Sequence, residues 1–105
     1  MLEKPTPIGN PTRDITLNNA LFPWYTDTAQ PVLAIVTGSD NFHLPCFSSI
    51  EKLALFMNQA GIKYDSVKQI EDEREFLSSI PLDILVILDP YYTPKGTVRY
   101  TQVLR

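Results

Sequence analysis

Residues 42–61 read FHLPCFSSIEKLALFMNQAG, and this stretch decides the fold class. It opens with Phe42 to Phe47, a short apolar segment that reads as a strand. Ser48-Ser49-Ile50-Glu51 then matches a capping box. In that motif a serine accepts from an orphan N–H of the first helical turn, and a glutamate three residues on reaches back. Behind the cap, Ile50, Leu53, Ala54 and Met57 recur at helical spacing, and Phe56 and Ala60 widen the stripe. Gly61 stands where a helix end calls for left-handed backbone. The spacing predicts a strand that runs directly into a helix over 48–60, the repeating unit of an α/β chain.

Working outward, Val32 to Thr37 is β-branched and apolar, and Gly38-Ser39-Asp40-Asn41 is a turn cluster. These predict a hairpin with the Phe42 strand. Pro45 cannot donate to a ladder, which places that strand at an edge or leaves one of its sides free there. Downstream, Ile62 to Ile70 reads as a strand. Residues 71–79 read as a helix whose first turn carries Glu71, Asp72 and Glu73 at the positive end of its dipole. Phe76, Leu77 and Ile80 are its core-facing residues, and Pro81 closes it. Ile84 to Leu88 is a continuous apolar run, as expected of a strand covered on both faces, and Asp89-Pro90 ends it. A turn at Pro94-Lys95-Gly96 leads to a last strand from Thr97 to Leu104.

Upstream, residues 1–13 hold Pro5, Pro7 and Pro11 and read as a mobile lead-in without regular structure. Asp14 is placed to cap a short helix through Ile15, Leu17, Ala20 and Leu21 that Pro23 stops, with Trp24 and Tyr25 covering the core edge. The expected architecture is an α/β (α+β) domain over 14–105. It has a single mixed sheet of about five strands and two helices in the order β-β-α-β-α-β-β. The strand–helix–strand from 62 to 88 forms a parallel crossover within it.

The chain has 105 residues, enough for one domain. Its formal net charge of -3 argues against non-specific nucleic-acid binding, which depends on basic residues that displace counterions, and against anionic membrane surfaces. Cys46 is its one cysteine, so no disulfide forms within the chain. No apolar run approaches the length of a membrane span. A reducing cytoplasm is the expected compartment.

The region from Pro31 to Arg105 resembles the SseB N-terminal domain family of small bacterial α/β domains. Three features carry the likeness. One is Leu44-Pro45-Cys46-Phe47-Ser48-Ser49-Ile50-Glu51, a strand that delivers proline, phenylalanine and serines into a capped helix. The second is the buried strand ending in Asp89-Pro90, where that family often has Asn-Pro. The third is the short final strand beyond a turn. The sequence departs from the pattern in its short N-terminal part and in Asp89. The resemblance implies a fold and no defined activity.

The candidate chemistry is sparse. His43 and Cys46 lie three apart on an extended segment, which places them on opposite faces. Cys46 is expected to be a small buried hydrophobe and His43 a surface residue. Zinc lacks a sufficient ligand set. Glu71 and Asp72 follow one strand and Asp89 follows its expected parallel neighbour. These three are candidates for a hard cation at the carboxyl edge of the sheet, against the alternative that they serve a helix N-terminus and a turn. The sequence holds no phosphate loop and no nucleophile elbow.

Asp89-Pro90-Tyr91-Tyr92 with Lys95 and Arg99 forms a further cluster, and tyrosines beside basic residues are typical of recognition surfaces. Together with Trp24 and Tyr25 these are the candidate partner-binding residues. The leading expectation is a non-enzymatic interaction or accessory module without a cofactor, binding a protein partner or a second copy of itself. The alternative is a carboxylate-based metal- or small-molecule-binding enzyme at an Asp72/Asp89 edge.

Overall fold

The computed structural model describes residues 5–7, 16–35 and 41–104. In chain order its elements are β1 (Pro5–Pro7), β2 (Leu21–Tyr25), β3 (Gln30–Pro31), β4 (Ala34–Ile35) and β5 (Phe42–Cys46). There follow α1 (Ile50–Ala60), β6 (Ser66–Gln69), α2 (Glu73–Ser79), β7 (Leu85–Tyr92) and β8 (Val98–Gln102). The class is α+β, as the apolar periodicity indicates. The strands form two sheets rather than one: β1-β8-β7-β5-β4, and β3-β2-β6. Among the described residues no helix is long and apolar enough to cross a membrane.

The larger sheet is mixed. β5 and β7 run parallel, with His43 to Cys46 in register with Leu85 to Leu88, while β4/β5 and β7/β8 are antiparallel. The parallel crossover therefore runs from β5 to β7 through α1, β6 and α2. It does not run from 62 to 88, because β6 leaves for the second sheet and pairs antiparallel with β2. That pairing also corrects the helix expected before Pro23. Leu21–Tyr25 is a strand, and the proposed cap Asp14 lies outside the described residues. Pro23 brings no N–H, but its carbonyl accepts from Val32 N at 2.9 Å. The two sheets are joined at Leu21 and Phe47, whose backbones exchange two hydrogen bonds of 2.7 Å.

Pro45 falls in a gap. β4 pairs only with Phe42 and His43, and the Leu21 bridge begins at Phe47, so the side of β5 facing away from β7 needs no donor at Pro45. Pro5–Pro7 pairs in parallel with β8, contrary to the expectation of no regular structure in that lead-in. The position is an edge, where a missing proline N–H costs no ladder bond.

Both faces of the larger sheet are covered, and β7 displays this in consecutive residues. Ile87 packs with Ala34, Phe47, Leu53, Phe56, Met57, Val98 and Tyr100 on the α1 side. Its neighbour Val86 packs with Leu17, Ala20, Phe22, Leu44, Cys46, Ile70 and Val103 on the other, where Phe76, Leu77 and Ile80 of the α2 region add cover. Each large side chain fully buried in this way contributes about 1.5–3 kcal/mol. His43, expected at the surface, is buried at 1% exposure, because β5 lies inside the sheet and not on its rim.

The helix over 48–60 forms with a one-residue shift. Ser49, not Ser48, is the N-cap, and its hydroxyl accepts from Lys52 N at 3.3 Å. The buried stripe is Leu53, Phe56 and Met57, with Ala60 partly buried, which keeps the i, i+3, i+4, i+7 spacing; Ile50 and Ala54 are exposed. Gly61 ends the helix in the left-handed region at φ 67°.

Candidate functional site

Asp89-Pro90 does not end the apolar strand. β7 continues to Tyr92, and its pairing with β8 shifts register between Leu88 and Tyr91. Asp89 sits in this bulge at φ 50°, a conformation that aspartate and asparagine tolerate better than other residues with a side chain. Bulges of this kind re-aim a side chain and recur beside functional sites. Here the bulge turns the Asp89 carboxylate across the carboxyl ends of the parallel pair β5 and β7, toward the start of α1.

Ser48 lies in the turn between β5 and α1, free of the cap that Ser49 provides. Its N–H donates to Asp89 Oδ1 and its hydroxyl to Asp89 Oδ2, each at 2.8 Å. One helical turn on, the Lys52 ammonium donates to the Ser48 hydroxyl at 3.3 Å and lies 3.5 Å from Asp89 Oδ2. The three residues form a closed polar knot in which both carboxylate oxygens are engaged. Lys52 keeps 58% of its side chain exposed, so its ion pair adds at most about 1 kcal/mol. The hydrogen bonds to the carboxylate tie the bulge to the helix.

Beside this knot runs a groove of about 350 Å³ between α1 and the β7–β8 hairpin. Leu55, Phe56 and Gln59 line it from the helix, Pro90, Tyr91 and Thr101 from the hairpin, and Lys52 and Asp89 close one end. Leu55 and Tyr91 are large, apolar-bodied and exposed. This is the usual location of a ligand site in a sheet with parallel strands.

Of the expected partner-binding residues, only Asp89 and Tyr91 share this groove. Tyr91 is exposed and lines the groove, whereas Tyr92 is turned inward and stacks on Phe56 with ring centroids 5.5 Å apart. Arg99 stands opposite Tyr91 in the β7–β8 register and Lys95 lies in the hairpin turn; both are exposed, and neither lines the groove. Trp24 and Tyr25 belong to β2 in the other sheet. Tyr25 faces the opposite flank of α1, with Ala54 and Asn58. Trp24 packs edge-on to Phe22, and Lys68 Nζ lies over its ring at 4.1 Å.

The carboxylates also separate. Glu71 and Asp72 follow β6 in the smaller sheet, while Asp89 lies in the larger one. Asp72 is the N-cap of α2 and accepts from Arg74 N and Glu75 N at 3.0 and 3.3 Å. Among the described residues no group of three His, Cys, Asp or Glu side chains is placed to hold a metal ion. Cys46 is fully buried, and burial, reinforced by the Asp89 charge, pushes its thiol pKa far up.

Lys52, Leu55, Gln59 and Thr101 are not singled out by the sequence, and Ser48 reads there only as a helix cap. Ser48 and Lys52 left a trace, an i, i+4 pair on one helix edge, but nothing local ties them to a carboxylate forty-one positions on. No family model, curated protein or solved structure matches the chain.

Proposed function

We propose that the chain is a non-enzymatic interaction module whose groove between α1 and the β7–β8 hairpin takes an apolar side chain of a protein partner. The observation that carries this reading is the pairing of exposed Leu55 and Tyr91 across a groove with a polar end. Tyrosine offers large contact area at low entropy cost. The knot beside it supports binding over catalysis. Asp89 is already engaged by Ser48 and Lys52, so the serine hydroxyl and the carboxylate serve to hold the bulge. A formal net charge of -3 supports a protein partner over a nucleic acid, and a single buried thiol suits the cytoplasm. The enzyme reading at an Asp72/Asp89 edge loses its support, because the two carboxylates line separate grooves.

The test uses Leu55→Ser and Tyr91→Ser, singly and together. Both side chains are exposed, so the melts should stay within a few degrees of wild type. A partner retained by the wild-type chain in pull-down, or self-association read by sedimentation, should weaken in both single variants and vanish in the double. Equal retention by all four proteins sinks the groove as the interface.

A further inference from the structure

His43 occupies an unusual place. It lies in β5, one strand in from the edge of the larger sheet, at 1% exposure. Among the described residues its Nδ1 is buried with no hydrogen-bond partner, and its ring meets Tyr100 edge-on at 5.9 Å. A neutral imidazole can be held there. An imidazolium carries N–H on both nitrogens and needs acceptors or water for both.

The surroundings offer the charged form little. Across β4 the residue in register is Ala34, and across β7 it is Leu85. From β8 comes Tyr100, whose phenol burial pushes up, so that it stays neutral in this range. In the turn before the strand, the Asn41 side-chain amide donates to the Asp83 backbone oxygen at 2.8 Å, and the Asp83 side chain is exposed. Burial lowers the His43 pKa, and the Asn41 backbone offsets this only in part.

Two strands border His43, and they hold it unequally. β7 stays in register from His43 through Cys46. Among the described residues β4 contributes the pairs Ala34–His43 and Ile35–Phe42, and both Ile35 and Phe42 are already 48% exposed. Lifting β4 is therefore the least costly way to bring water to the ring.

We propose that protonation of His43 in mild acid releases the edge strand β4 from β5. The released form exposes the side of the β5 backbone at Phe42 and His43 that β4 covers. The sign follows from proton linkage. The closed form binds the proton more weakly than the open one, so opening is insensitive to pH above the ordinary histidine value. Below it the opening constant rises by up to about tenfold per pH unit, until the lowered pKa of the closed form is reached.

Amide exchange of the full chain from about pH 7.5 to about pH 5, corrected for intrinsic rates, tests this across the histidine range. Adjacent pairs of an antiparallel ladder alternate between hydrogen-bonded and non-hydrogen-bonded, so protection should fall with pH at the amides of whichever pair, Ala34–His43 or Ile35–Phe42, points into the β4/β5 ladder, while that of β7 and β8 holds. His43→Phe keeps the aromatic contact with Tyr100 and removes the titration, so its β4 protection should not vary with pH. Should that variant fail to fold, the imidazole resonances of the wild-type chain serve instead, and their midpoint should lie below the ordinary value. The proposal is overturned by pH-independent β4 protection, by an equal pH response in His43→Phe, by an ordinary or raised His43 midpoint, or by loss of protection across the whole sheet at once.

Discussion

Replacing Asp89 separates the two things this residue does. Its carboxylate accepts two hydrogen bonds from Ser48, and its backbone sits at φ 50°. Bonds to a charged group are worth about 1.5–3 kcal/mol each, but Ser48 is exposed and water competes, so about 1 kcal/mol each is the better figure. Asp89→Ala loses both, about 2 kcal/mol, and adds roughly 1 kcal/mol for alanine in the left-handed region. Asp89→Gly loses the same bonds but relieves the backbone, so it should cost about 2 kcal/mol. Asp89→Asn keeps one acceptor for the Ser48 N–H, lets the hydroxyl turn to accept from the amide, and tolerates the backbone; its cost should stay below about 1 kcal/mol. Urea unfolding with a common slope reads the three values. The order Asn, Gly, Ala is the expected result, against a total stability of about 5–15 kcal/mol. Equal losses for Gly and Ala would refute the backbone argument. Losses under about 0.5 kcal/mol for both would refute the tie between bulge and helix.

Two further outcomes follow from the core. The Cys46 thiol is fully buried and its pKa is pushed up, so a thiol reagent should modify it slowly in the native protein and quickly in denaturant; equal rates would contradict its position. Val86→Asp places an unpaired charge at a 1% exposed position in a strand bordered by β5 and β8, at a cost of several kcal/mol; a cooperatively melting variant with wild-type stability would contradict that burial.

The sequence by itself determined the pieces whose causes are local. The helix behind Phe47 was legible because its apolar spacing, its serine cap and Gly61 all act within one or two turns of backbone. The same holds for the existence of α2, although it starts at Glu73 with Asp72 as its cap and Glu71 outside it, and for the double-sided burial of Ile84 to Leu88. Beyond the β4/β5 hairpin that the turn cluster marks, which strands pair was decided only in three dimensions. Ser66–Gln69 pairs with β2 and not with β7, which split the expected single sheet in two and parted Asp72 from Asp89. The apolar pattern of Ile15, Leu17, Ala20 and Leu21 is helix-compatible, yet Leu21 opens a strand in this pairing. His43 reads as polar and exposed in a list of residues, yet β4 on one side and β7 on the other bury it. The site itself depends on a contact between Ser48 and Asp89, forty-one positions apart, and on a bulge that turns one carboxylate toward a helix. Local sequence encodes the propensity of each segment, whereas such long-range contacts exist only once the strands have been brought side by side.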